Sequence, residues 1–102
     1  MTVELIKKVF DGDSGESTVL LNENSNNVCI QSGFSVKSGS VSVKGRINKD
    51  DEEHTLGFID LKTGEILTEA EEGIYSLLGC ELLYSLSFYS DEDSVVTAKF
   101  LF

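Results

Sequence analysis

Positive charge is scarce in this chain of 102 residues, which has 8 Lys and Arg against 18 Asp and Glu and a formal net charge of −10. Such a charge repels phosphate backbones and anionic membrane surfaces, so we expect neither nucleic-acid nor membrane binding. Apolar runs are only a few residues long, whereas a spanning helix needs roughly 20 apolar residues. The N-terminal residues also lack the apolar run of a signal peptide. We therefore expect a mature chain that begins at Met1.

Cysteine and histidine are too few for the common metal and catalytic sites. Cys29 and Cys80 have no partners at metal-ligand spacing, so we expect two buried thiols in a protein made in a reducing cytosol. A disulfide would require their strands to be neighbours. His54, the single histidine, follows Ser14 of the Gly-Asp-Ser-Gly run at 12–15. Chymotrypsin-like proteases place the histidine before the serine, so the sequence predicts a solvated loop and no catalytic residue.

Acidic residues cluster in two segments that resemble, but do not complete, a cation-binding loop. The segments contain Asp11, Asp13 and Glu16, and then Asp91, Glu92 and Asp93. The first begins like a calcium loop, but Asn22 stands where the bidentate Glu is required. No phosphate-binding glycine motif occurs. We expect solvated surfaces, with a weak cation site as the alternative, no metal centre and no cofactor.

The apolar residues alternate with period two, which is typical of half-buried β-strands. Over residues 82–88 one face is fully apolar, with Leu82, Tyr84, Leu86 and Phe88. Residues 95–102 show the same alternation, and the polar turn 90–94 predicts that the two strands form an antiparallel C-terminal hairpin. A second hairpin is predicted from residues 41–47 and 54–61.

Shorter strands are predicted at residues 18–21, 27–36 and 66–67, and residues 2–10 are predicted to be strand or coil. Gly33 is a candidate bulge, and residues 62–65 predict a turn. Residues 69–80 carry the capping signal of a short helix, but Gly73 and Gly79 favour a turn followed by a strand. The chain is therefore predicted to be one all-β domain over residues 1–102. Its expected form is an antiparallel β-sandwich, jelly-roll or Ig-like, of about seven or eight strands, with a short helix near 69–80 as the alternative.

A series of glycine and apolar positions in the second half forms a recurring pattern. A Val-rich strand leads into a hairpin, then come a Gly-Ile-Tyr step, another glycine and a final strand pair. The residues that carry it are Val41, Val43, Gly45, Arg46, Gly57, Ile59, Gly73, Ile74, Tyr75, Gly79 and residues 95–98. Across residues 33–102 this pattern resembles small β-sandwich virion proteins of tailed bacteriophages, which include head decoration, neck and tail accessory components. The resemblance implies a non-enzymatic, multicopy structural protein, made in the host cytoplasm, that binds other virion proteins and forms homo-oligomers.

Two sets of side chains are candidate contact residues. The chain ends in Lys99, Phe100, Leu101 and Phe102. Because three apolar residues at a terminus are unfavourable in water, we expect this end to be tucked in or covered by another subunit. The alternative function is a carbohydrate-binding module. Its sugar-stacking residues would be Tyr75, Tyr84 and Tyr89, although rings at period two more often fill a core.

Overall fold

A computed structural model describes residues 3–10, 15–20, 28–90 and 93–102. These residues contain eleven strands, four of which are only two or three residues long. The strands are β1 (Val3–Phe10), β2 (Gly15–Leu20), β3 (Gln31–Val36), β4 (Val41–Arg46), β5 (His54–Thr55), β6 (Phe58–Asp60), β7 (Ile66–Leu67), β8 (Glu69–Ala70), β9 (Gly73–Leu77), β10 (Ser85–Ser90) and β11 (Ser94–Leu101). A three-residue 3-10 turn, Cys80–Leu82, joins β9 to β10.

The strands form two antiparallel sheets that enclose one core. The six-stranded sheet has the order β1-β11-β3-β9-β6-β7, and the five-stranded sheet has the order β2-β10-β4-β5, with β8 also paired to β4. Alternate residues of both sheets are buried in a common apolar cluster. Phe34 of β3 meets Phe88 of β10 across the gap, with ring centroids 5.4 Å apart. The predicted all-β sandwich is confirmed.

The predicted C-terminal hairpin is wrong, although both of its strands exist. β10 pairs with β2 and β4, whereas β11 pairs with β1 and β3 in the other sheet. A short polar connection can join two paired strands or two strands of different sheets. Alternation with period two predicts that a segment is a strand, but it does not predict which strand pairs with it. β10 also begins only at Ser85, and Leu82 is 67% exposed. Leu82 therefore does not lie on the buried face of this strand.

The second predicted hairpin is confirmed where β4 pairs with β5, but its second strand is divided in two. β4 and β5 are antiparallel neighbours, with Lys44 opposite Thr55. The single strand expected over residues 54–61 is instead two strands, because β6 joins the six-stranded sheet beside β9. The chain crosses from one sheet to the other between Thr55 and Phe58, which closes this side of the sandwich.

Residues 69–80 form strands β8 and β9, so the alternative of a short helix is wrong, and the 3-10 turn follows Gly79 at φ 70°. The predicted turn before β7 is present, with Gly64 at φ 78° and its N–H donating to the Asp60 carbonyl at 2.7 Å. Gly33 is not a bulge, since it keeps regular register between Lys99 and Ser76. It is glycine because a Cβ there would lie 2.8 Å from the Tyr75 carbonyl oxygen.

Candidate interaction site

The C-terminal segment is tucked into the sandwich as the last strand of the chain. Phe100 is fully buried in the core, whereas Leu101 and Phe102 are half-buried and Lys99 is exposed. Phe102 packs partly against the core cluster. Of the four candidate contact residues, Phe100 is thus a core residue of the monomer. The surface that this segment offers consists of Lys99, Leu101 and part of Phe102.

Six exposed apolar side chains lie at the same end of the sandwich as the C-terminus. The register shows this for each sheet in turn. In the five-stranded sheet, Leu20 at the end of β2 pairs with Ser85 at the start of β10. In the six-stranded sheet, Leu101 at the end of β11 pairs with Gln31 at the start of β3. The connection from β9 to β10 joins these ends of the two sheets. We call this surface the apolar end, and it consists of Leu20, Val28, Ile30, Ile47, Leu78 and Leu82.

Sequence reasoning did not find the apolar end. Ile47, Leu78 and Leu82 lie outside the strands, where alternation carries no information. One signal was available, because Val28 and Ile30 flank a cysteine that was itself expected to be buried. Period two then places both side chains on the opposite, outward side.

Cys29 and Cys80 meet beneath the apolar end, and their predicted burial as thiols is confirmed. The Cys80 thiol donates to the Cys29 carbonyl oxygen at 3.8 Å, and the Cys29 thiol donates to the Gln31 carbonyl oxygen at 3.6 Å. Burial raises the pKa of Cys29 from 9.0 to about 12, and the hydrogen bond between the two thiols adds to this rise.

A shallow groove of about 550 Å³ follows β3 on the outer face of the six-stranded sheet. Its lining includes the small residues Gly33 and Ser76, which are adjacent in the β3–β9 register. Ile74 of β9 and Leu101 of β11 also line it, from the strands on either side of β3. Since Leu101 belongs to the C-terminal segment, the groove is continuous with that surface. Among the described residues that line the groove, Lys99 is the one that carries a charge.

Tyr75 is a core residue and not a sugar-stacking platform. Its ring is 3% exposed, stacks on Phe34 at 5.2 Å and meets Phe58 edge-on at 5.1 Å. The hydroxyl donates to the Glu71 carbonyl at 2.8 Å. Burial raises the pKa of Tyr75 above 10.0, and the nearby charge of Asp60 raises it further. The proposed stacking role is wrong for this residue, because both faces of its ring are inside the sandwich.

Tyr84 and Tyr89 are half-buried. The Tyr89 hydroxyl donates to Oε1 of Glu53 at 2.6 Å, and the Lys44 ammonium lies 5.2 Å from the centre of the Tyr89 ring. Arg46 is 3.5 Å from the same Glu53 oxygen. The Tyr89 hydrogen bond is the main reason why the pKa of Glu53 lies below its ordinary value of 4.5, although burial opposes this shift. Tyr89 therefore has an intramolecular partner for its hydroxyl and a cation beside its ring.

Glu16 lies in β2, and the remaining candidate residues are either exposed or outside the described residues. His54 is exposed in β5. The Gly-Asp-Ser run at 12–14, Asp11, Asp91 and Glu92 lie outside the described residues. Within the described ranges, no three His, Cys, Asp or Glu side chains are grouped closely enough to hold a metal ion. In the same part of the chain, no helix has the length and apolar character needed to cross a bilayer.

Comparison with known proteins gives a likeness of fold. No family model matches the sequence. No curated protein matches it either. Among solved structures, the crystal structure of the SPBc2 prophage-derived protein YomS is similar, with a TM-score of 0.72 over 98% of this chain and 95% of that chain. The two sequences are 11% identical, so this chain has a sandwich of the same architecture as YomS along nearly its whole length.

Proposed function

We propose that this chain is a non-enzymatic structural protein of a bacteriophage virion, a capsid decoration, head or tail accessory component that acts through protein–protein contacts. Phage origin is supported by the likeness, over nearly the full length of both chains, to a prophage-derived protein. The apolar end is the observation that carries the structural role. In this proposal the protein is made in the host cytoplasm and resides in the virion, where it contacts capsid, neck or tail proteins and further copies of itself.

Clustering is what makes the apolar end informative. Single exposed apolar residues are ordinary, whereas a contiguous group marks a contact surface. Leu82 and Ile47 are each 67% exposed, and Ile30 is 55% exposed. Because these side chains are only half to two-thirds exposed, transfer of one of them from water into an interface contributes about 1–2 kcal/mol. A few of these residues buried together would offset much of the cost of association.

Strand edges are a second contact surface on which this proposal draws. On the side where the chain crosses between sheets, the edge strands β5 and β7 have two residues each. On the opposite side the edges are β1, with eight residues, and β2, with six. Because short edges resist strand addition and long edges permit it, backbone pairing with a neighbouring protein is expected along β1 or β2.

The experiment compares Leu82→Asp with Ile66→Asp, a matched control. Both wild-type side chains are 67% exposed, but Ile66 lies on the edge strand β7, two strands across the sheet from β9, and is not part of the apolar end. Phage particles are produced with each variant gene, and copies per particle are counted by quantitative mass spectrometry. We expect at least about a tenfold loss of incorporation for the Leu82 variant, which corresponds to about 1.4 kcal/mol, and wild-type incorporation for the Ile66 variant.

Melting curves establish that both variants fold, and sedimentation velocity measures self-association of the purified proteins. Deletion of residues 99–102 is unsuitable as a test because it removes Phe100 from the core. Equal incorporation of the folded Leu82 variant and the control would show that the apolar end is not a virion contact. A chain that is absent from purified particles altogether would refute the structural role.

A further inference from the structure

We propose that Cys29 and Cys80 are a redox modification site, at which an intramolecular disulfide forms when the folded protein meets a low-molecular-weight disulfide such as oxidised glutathione. The site goes beyond the virion role and stands on the geometry of the two thiols alone.

The first observation is contact between two cysteines that are distant in sequence. The Cys80 thiol points at the backbone of Cys29 and lies 3.8 Å from its carbonyl oxygen. Both side chains are almost completely buried, at 0% and 2% exposed. A disulfide requires the two Cβ atoms to face each other at close range, and a thiol that already lies against the backbone of the other cysteine needs little movement to reach that arrangement.

The second observation is that each cysteine is the inward-facing residue of a short surface segment. Val28 and Ile30 are 38% and 55% exposed on either side of Cys29. Cys80 begins the 3-10 turn, whose other end, Leu82, is 67% exposed. The turn is closed by backbone hydrogen bonds of its own, from Leu82 N–H to the Gly79 carbonyl at 3.0 Å. It belongs to neither sheet ladder, so it can open without separation of paired strands.

The chemistry balances as two thiol–disulfide exchanges. Opening of the turn exposes Cys80, and its thiolate attacks one sulfur of oxidised glutathione. A protein–glutathione mixed disulfide forms, and one glutathione thiolate leaves and takes up a proton. As the turn closes, the Cys29 thiolate attacks the Cys80 sulfur of this mixed disulfide and releases the second glutathione. The protein loses two electrons and two protons, and one oxidised glutathione becomes two reduced glutathiones.

Burial slows both exchange steps, and the position of each thiol sets their order. The pKa of Cys29 is about 12 in the closed state, so its thiolate is rare at neutral pH while the site is dry. Because Cys80 belongs to the turn that opens, it is the residue that reacts first, and Cys29 is the resolving thiol. The burial also makes oxidation slow, because each step waits for the turn to open.

The bond would join the segment before β3 to the connection between β9 and β10. It closes a loop of about 50 residues, and cross-links of this length raise Tm on the order of 10 °C in a domain of this size. It would fix the backbone under the apolar end, where Val28, Ile30 and Leu82 are presented. In a reducing cytosol the same pair stays as thiols, so stabilisation is added only in an oxidising environment.

The test uses the purified, reduced, full-length wild-type protein. It is equilibrated with oxidised glutathione at neutral pH, with and without a urea concentration below the unfolding transition to speed opening. Intact mass, thiol titration, non-reducing gels and Tm are measured. We expect a monomer lighter by two hydrogen atoms, no titratable thiols and a Tm raised on the order of 10 °C, with faster oxidation in urea.

Cys29→Ala and Cys80→Ala are the matched controls, since each retains one thiol. Neither should gain Tm on oxidation, and Cys29→Ala should acquire the glutathione adduct faster than Cys80→Ala. Three results would each overturn the proposal. They are two titratable thiols after equilibration, disulfide-linked dimers, and an intramolecular disulfide that does not raise Tm. Particle incorporation does not enter this experiment, so its outcome is independent of the virion role.

Discussion

Gly33 occupies the position in the six-stranded sheet where an added methyl group has least room. An alanine Cβ there would lie 2.8 Å from the Tyr75 carbonyl oxygen, whereas ordinary contacts are 3.4 Å or longer. Relief requires a shift of about half an ångström in the β9 backbone. That shift would carry the Tyr75 ring with it, and the ring stacks on Phe34 within the core.

The expected magnitude follows from two opposed effects. Overpacking of this kind costs about 1–3 kcal/mol. Replacement of glycine by alanine restricts the unfolded chain and contributes about 0.4–1 kcal/mol in the other direction. We therefore expect Gly33→Ala to lower the free energy of unfolding by about 1–2 kcal/mol. For a domain of this size that corresponds to a fall in Tm of roughly 4–16 °C.

Urea unfolding followed by far-ultraviolet circular dichroism measures this difference, and an unchanged m value shows that the unfolded state is comparable. Gly57→Ala is the matched control. Its Cβ would meet the Cγ2 methyl of Ile66 at 3.2 Å, and Ile66 is a 67% exposed residue of a two-residue edge strand, which needs to shift by only a few tenths of an ångström. We expect the control to change stability by less than about 0.5 kcal/mol. A Gly33 variant as stable as the control would show that the backbone contact does not constrain β9.

Two further substitutions test polar groups in the sandwich. Tyr89→Phe removes the hydrogen bond to Glu53, and bonds to charged groups contribute about 1.5–3 kcal/mol. The pKa of Glu53 in the folded protein lies below its ordinary value of 4.5. The ionised Glu53 carboxylate therefore stabilises the fold above pH 4.5, and this stabilisation is lost as the pH falls through the folded pKa. The stability difference between wild type and variant should therefore shrink in acid, and a difference independent of pH would contradict this. Ser32→Ala removes a buried hydroxyl that has no hydrogen-bond partner among the described residues. We therefore expect about 1 kcal/mol of added stability by urea unfolding, and a loss of stability would reveal a partner.

The strands were predictable because alternation reports burial residue by residue. Val41 and Val43 point inward from β4 as their spacing requires, and the same holds for Val96, Ala98 and Phe100 in β11. Strand partners were not predictable in the same way. β10 is buried on both faces. Leu86 and Phe88 lie on one face, and Ser85 and Ser87 on the other face are only 2% exposed. Serine on a strand indicates a solvated face, and only the tertiary structure shows that this face is covered.

The candidate site was predictable in part for the same reason. The apolar C-terminus was expected to be tucked in or covered, and Phe100 is tucked in. The neighbours that surround it come from distant parts of the chain. Ile30 lies beside the C-terminal segment, because its N–H donates to the Leu101 carbonyl at 2.8 Å, although the two residues are far apart in sequence. A surface assembled from several loops leaves no local pattern, because each loop contributes only one or two apolar residues.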